Sequence, residues 1–361
     1  MRFLFTTALA VLAAHPSLAQ APAKSAPQPT ALPNDVPAAR DIPYPGTIRL
    51  TVDATDTRRG IFRVKEVIPV APGARRLTLL YPEWLPGNHA PRGPIDDVSG
   101  FRFTAGGQVL TWKRDPVNVY AIHLDLPEGA AEVQAEFQYL SPTAPAQGRV
   151  VMTNEMLNLQ WNLVAFYPAG YFTRRIPVDA TAILPAGWRY GTALRPRDPA
   201  ATGAVAFQTI DFDDLVDSPM FAGRHFRQEQ LTPDVRLNIV ADNAEELAAT
   251  PEQIETHREL VRQAVKLFGS QHYDHYDFLL AISDKQGGIG LEHHRSSENG
   301  VMPGYFTKWA DFAGRRNLLP HEFTHSWDGK YRRGADAFTA DFTGPMRNSL
   351  LWVYEGQTQF W

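Results

Sequence analysis

The segment His321-Glu322-Phe323-Thr324-His325 sets two imidazoles four positions apart, with a carboxylate beside the first. Residues four apart share one face of a helix, so His321 and His325 can aim at a single zinc ion, one Zn2+ per chain. Glu322, one step round the helix from His321, can reach a water activated by that metal and act as its general base. The implied chemistry is metal-assisted hydrolysis, and a third protein ligand is still needed. A helix carrying two surface histidines is the competing reading of so short a pattern.

No histidine follows His325, so the third ligand must be a carboxylate, and the candidates are Asp328, Asp336, Asp341 and Glu355. The longer histidine motif of some zinc proteases fails here, because Asp328 stands at its glycine position and Tyr331 at its last histidine. Asp328 would share the histidines' helix face, and three ligands from one short helix fit a tetrahedral ion poorly. Glu355 lies in the apolar segment 349–361, which reads as a second, buried helix. A buried carboxylate needs a compensating charge, which zinc would supply; the alternatives are a half-exposed helix residue or a partner for Arg347. A His-His-Glu site with water in the fourth position is therefore expected. Gln359 is either hydrogen-bonded to a ligand or a surface amide.

Three segments together, residues 321–330, Trp352-Val353-Tyr354-Glu355-Gly356 and Gly287-Gly288-Ile289-Gly290-Leu291-Glu292-His293, resemble the glycyl aminopeptidase family of gluzincin metallopeptidases. Members usually carry a PDZ domain, and the catalytic order is more remotely similar to that of aminopeptidase N. Residues 81–87 and 214–219 are similarly placed, which extends the resemblance over most of the chain. It implies His321, His325 and Glu355 as zinc ligands, Glu322 as the base, and removal of N-terminal glycine or alanine from short peptides. It also implies an oxyanion donor and a PDZ domain beyond Trp361, so the chain as given is expected to be truncated and not to complete the chemistry alone.

An aminopeptidase must hold a charged α-amino group at a fixed distance from its metal, and a carboxylate on a strand beside the cleft is a suitable anchor. Glu292 is that candidate, with ion pairing to His293, His294 or Arg295 as its alternative role. Gly287 and Gly288 would let a substrate backbone approach the same strand edge. Two other readings remain open: a zinc endopeptidase with the same core, and a noncatalytic peptide-binding scaffold.

The elements that must position these groups fall into two regions. Residues 1–19 have the charged, apolar and small-residue order of a secretory signal, with cleavage after Ala19 or Ala21, which directs the protein to a bacterial periplasm or the medium. Residues 20–43 are a Pro/Ala-rich leader. Residues 44–235 alternate apolar and polar residues in short runs broken by Pro and Gly, as in an antiparallel β-sandwich or saddle. Asp217 there reads as a turn-capping residue, with contact to the second region as its alternative role. Residues 236–361 read as the first part of a thermolysin-like α+β metallopeptidase domain, giving a multidomain β plus α/β chain.

In that second region Thr250-Pro251-Glu252-Gln253 carries the signature of a capping box, followed by a helical period to Gly269 and a strand at 276–282. Asn317 as N-cap would place Pro320 in the first turn of a zinc helix ending near Gly329. The chain has no cysteine, so its stability must come from its core. A net charge of −4 over 361 residues provides no basic surface for nucleic acid, and no segment after the signal is apolar enough to span a membrane.

Overall fold

The computed structural model describes residues 34–361. The expected signal at 1–19 and most of the leader lie outside the described residues. Regular contacts begin earlier than Ile48: Arg40 bridges Tyr171, and its amide donates to the Gly170 carbonyl at 3.2 Å.

In Ile48–Asp56 the residues Ile48, Leu50, Val52 and Ala54 are buried in strict alternation, as one-sided burial of a strand demands. This strand sits inside a large sheet ordered Ala204–Ala206, Pro177–Ile183, Ile48–Asp56, Ile61–Pro69, Glu132–Leu140, Val98–Ala105, Gln108–Leu110. All neighbours on this path are antiparallel except Ile48–Asp56 with Pro177–Ile183, which run parallel. A second sheet of Tyr167–Pro168, Arg76–Leu80, Ala121–Asp125 and Trp112–Arg114 shares its core, where Phe62, Phe103 and Phe137 join Leu79, Ile122 and Leu124. The expected β-sandwich is present, with one parallel pair the alternation could not announce.

A five-stranded mixed sheet follows, ordered His225–Thr232, Val235–Ala241, Tyr276–Ile282, Ser296–Val301, Gly290–Glu292. Its first strand pairs with the second as a hairpin, so the sheet starts at His225 and the expected division at residue 235 falls within that hairpin. Alternation alone does not say which sheet a strand joins.

Tyr276–Ile282 is buried on both faces. Tyr276, Phe278, Leu280 and Ile282 face the helix Pro251–Phe268, while Leu279 and Ala281 pack on Met156 and Phe221 of a small sheet in the β region. Two-sided burial explains a strand sequence without alternation. The helix begins with the expected capping box between Thr250 and Gln253 and ends at Gly269 in the left-handed conformation, φ 66°. Among the described residues no helix is long and apolar enough to cross a membrane.

Candidate active site

The helix Leu318–Thr324 carries His321 and Glu322, and His325 closes its end. Leu319 and Phe323, four apart, are buried against Tyr276 and Phe278, with the Phe323 ring 4.8 and 5.0 Å from those two ring centroids. That apolar anchorage turns the face carrying His321 and His325 away from the core. Pro320 falls in the first turn, where its missing N–H costs no helical bond. Asn317 stands at the helix start but its side chain makes no cap.

The helix stops at Thr324 rather than near Gly329. The Thr324 hydroxyl donates back to the Pro320 carbonyl at 2.8 Å, and the amides of Trp327 and Asp328 both return to the Thr324 carbonyl. The chain then turns through Gly329 at φ 121°, where a side chain would meet the Tyr354 ring. Asp328 does not contribute its carboxylate to the converging donor atoms of the described residues. Its carbonyl oxygen instead lies 3.0 Å from His325 Nδ1.

Three donor atoms converge. His321 Nε2 and His325 Nε2 are 3.1 Å apart, and Glu355 Oε2 lies 3.3 and 3.6 Å from them. Ligands of a tetrahedral zinc ion with bonds of about 2.0 Å stand about 3.3 Å from one another, so the triangle has the edges of one face of such a tetrahedron. An Nδ1–H donated from His325 to Asp328 leaves Nε2 with a free lone pair, the tautomer a metal requires. The residues present fit the ion.

Glu355 reaches the histidines from a setting other than the expected buried helix. It sits between two short helices, Leu351–Tyr354 and Gly356–Phe360, with its side chain 38% exposed. Trp352 and Phe360 point outward; Tyr354 and Thr358 face in, and Gln359 is at the surface. The Thr358 hydroxyl lies 3.4 Å from His325 Nδ1, and Gln359 takes the surface position that was one of its two readings.

The site favours positive charge. Burial acts to raise the Glu355 carboxyl, but hydrogen bonds from His321, His325 and His89 outweigh it and hold the group well below the usual carboxylate range. Burial opposes protonation of His325, and Glu355 and Glu292 overcome that and raise it. Glu322 is pushed up to about 8 by burial and then by the nearby charge of Glu292. The same field that holds protons here would hold a cation.

Glu292, 3% exposed, lies with Glu322 and His325 in a second convergent group and accepts a hydrogen bond from the Tyr354 hydroxyl. Its strand, Gly290–Glu292, is the edge of the five-stranded sheet. The Gly300 amide donates to Ile289 and the His293 amide to Ser296, so the backbone groups of Gly290 and Glu292 point to the open edge. Gly290 rather than Gly287 or Gly288 adjoins the helix Leu318–Thr324, since a Cβ there would strike Glu322 Oε1. Gly287 instead donates its amide to the Val150 carbonyl and packs on Arg149, while Gly288 has no close neighbour in that direction.

His293 and His294 neither pair with Glu292 nor converge on a metal. Asp217, expected to cap a turn, receives them: its carboxylate lies 3.1 Å from His293 Nδ1 and 2.7 Å from His294 Nδ1, and accepts from Lys330 Nζ at 2.9 Å. The other ring nitrogen of His293 is 3.1 Å from Glu298, which also accepts from Asn158 and Gln160 of the β region. Burial opposes the charge of His293, yet Asp217 and Glu298 raise it to about 9. This buried ionic cluster joins the β region to the strand of Glu292.

The β region also supplies the loop after Trp84. Gly87, φ 80°, passes so close to the edge strand that a Cβ would lie 2.6 Å from Leu291 and 2.8 Å from Glu292. His89 Nε2 stands 2.7 Å from Glu355 Oε1, across 266 positions of sequence. Nothing in the spacing of residues 84–91 points to this contact. Its only local signal is a histidine two residues after a Pro-Gly pair.

A family model described as the peptidase M61 N-terminal domain matches residues 49–224, ending one residue before the five-stranded sheet begins. A second, described as M61 glycyl aminopeptidase, matches residues 314–361. Among solved structures, an aminopeptidase N family protein from Idiomarina loihiensis is 18% identical, aligns with 86% of this chain and 53% of its own, and superposes with a TM-score of 0.71. At that identity the likeness is one of fold. Native leukotriene A4 hydrolase from Saccharomyces cerevisiae is 12% identical over 78% of this chain and 44% of its own, with a TM-score of 0.46. The chain spans about half the length of these structures. No curated protein sequence matches it.

Proposed function

Because the chain belongs to the M61 glycyl aminopeptidase family, we propose that it is a zinc aminopeptidase of exported type, acting on short peptides with N-terminal glycine or alanine. The observation that carries this reading is the convergence of His321 Nε2, His325 Nε2 and Glu355 Oε2 beside two further buried carboxylates, Glu322 and Glu292.

His321, His325 and Glu355 would hold the ion, which when bound supplies Lewis acidity to a peptide carbonyl and acidifies water. Glu322, buried and with its proton affinity already raised, takes a proton from the attacking water and returns one to the departing amine. The backbone groups of Gly290 and Glu292 pair with the substrate main chain at the open sheet edge. The Glu292 carboxylate binds the α-ammonium, and Tyr354 keeps that carboxylate aimed. Fixing the amine beside the metal selects the first peptide bond. The amino-terminal pattern of residues 1–19 supports export.

The chain is expected to bind one zinc ion, and a form that also carries the oxyanion donor is expected to hydrolyse glycyl or alanyl anilides in a chelator-sensitive way. Glu322→Gln should keep the zinc and lose at least about a hundredfold in turnover; unchanged turnover would sink the mechanism. N-terminal acetylation of the substrate should abolish cleavage, and an acetylated peptide cut internally would identify an endopeptidase instead.

A further inference from the structure

We infer that His89, carried by the N-terminal β region, is a positioning residue for the third metal ligand. The inference rests on reading His321, His325 and Glu355 as a zinc site. Glu355 offers two oxygens with separate tasks: Oε2 faces the two metal-helix imidazoles, while Oε1 is 2.7 Å from His89 Nε2. Held from both oxygens, the carboxylate at this junction of two short helices has the rotation of its end fixed. A His89 donor on Oε1 commits Oε2 to the histidines.

The loop is built to deliver this ring. Trp84 and Pro91 pair across its base, the Asn88 amide donates to the Leu85 carbonyl at 3.1 Å, and the Asn348 side chain donates to the His89 carbonyl at 3.3 Å. The His89 ring stands edge-on to Tyr354, the residue before Glu355, with centroids 5.0 Å apart. His89 itself is one of two non-glycine residues with positive φ among the described residues, at 52°. A backbone of that kind persists where the surroundings over-determine it, and here both its carbonyl and its ring are held by the segment bearing the ligand. Residues hydrogen-bonded to metal ligands typically govern metal affinity by 10- to 100-fold, and His89 meets that description from the far end of the chain.

The test uses two substitutions that suit the left-handed backbone, His89→Asn and His89→Gly, and one that restores a longer donor, His89→Gln. Zinc affinity is read by competition with a chromophoric chelator, alongside the melting temperature of the metal-free protein. The expected result is zinc binding about 10- to 100-fold weaker in the first two variants, a metal-free melting temperature within about two degrees of wild type, and partial recovery of affinity in His89→Gln. Wild-type affinity in both His89→Asn and His89→Gly overturns the role of His89 and leaves the metal site standing. Failure of the wild-type protein to bind zinc stoichiometrically overturns the site, and the role of His89 with it.

Discussion

The ammonium of Lys330 lies 2.9 Å from Asp217 Oδ1, with the two side chains only 1% and 11% exposed. Lys330 follows the helix Leu318–Thr324 and Asp217 lies in the β region, so the pair is a charged bolt between the two. Burial would raise the Asp217 carboxyl, but Lys330, His294 and His293 hold it well below its ordinary range.

Removing one member of a buried pair strands the other charge, at a cost of 3–5 kcal/mol in comparable cases. Lys330→Met should destabilise the protein by about 3 kcal/mol, the low end, because Asp217 keeps its two imidazoles. Urea unfolding would read the loss directly. A shift below about 0.5 kcal/mol, the scale of an ordinary surface substitution, would mean the bolt carries no load.

Gly290→Ala tests the contact between the edge strand and the catalytic helix. The new methyl would fall against Glu322 Oε1 and lie 2.8 Å from a Leu318 methyl. The strand accepts alanine conformationally, so the fold should survive. The displaced carboxylate should cost about a hundredfold in turnover with zinc content unchanged, since small misplacements of catalytic groups carry penalties of that size. Full activity in the alanine variant would show that Glu322 does not need this close approach.

Which of these relationships were legible in the chain follows from how far apart the partners lie. His321, Glu322 and His325 could be read because helical spacing alone puts them together, and Glu355 because an acid among apolar residues needs a partner. The Thr250–Gln253 capping box is local and fell where expected. The contact of Asp217 was readable only as the alternative to a turn cap and that of His89 not at all, since their partners are 113 and 266 positions away and only the packing of two sheets brings them near. The early end of the metal helix at Thr324 was hidden for another reason: it depends on a threonine hydroxyl turning back to Pro320 and on a glycine fitted beneath an aromatic ring.

A third prediction concerns pH and lies far from the metal. Glu66 is fully buried in the β region and accepts one bond from the Phe166 amide at 3.1 Å, and its Oε1 has no partner among the described residues. Burial pushes it from an ordinary value of 4.5 up to about 8. Below pH 4.5 both folded and unfolded states hold the proton and the group has no effect. Above it the unfolded chain ionises first, so stability falls as pH rises, by an amount on the order of 4 kcal/mol at pH 8. Glu66→Gln keeps the shape and cannot ionise. It should match wild type near pH 4 and melt several degrees higher at pH 8; parallel melting curves across that range would refute the buried-acid account.

The strand Gly290–Glu292 has a consequence for how copies of the protein behave in solution. A sheet edge with unpaired amides and carbonyls is a template on which another chain can add. Here it is three residues long, and Gly87 of the β region lies tight over Leu291 and Glu292. So brief and roofed an edge leaves room for the first residues of the short peptide proposed as substrate yet offers too little length for a neighbouring molecule to stack upon. The geometry that would admit substrate thus also guards against edge-to-edge aggregation, and lengthening that strand or cutting back the loop at Gly87 would remove the safeguard.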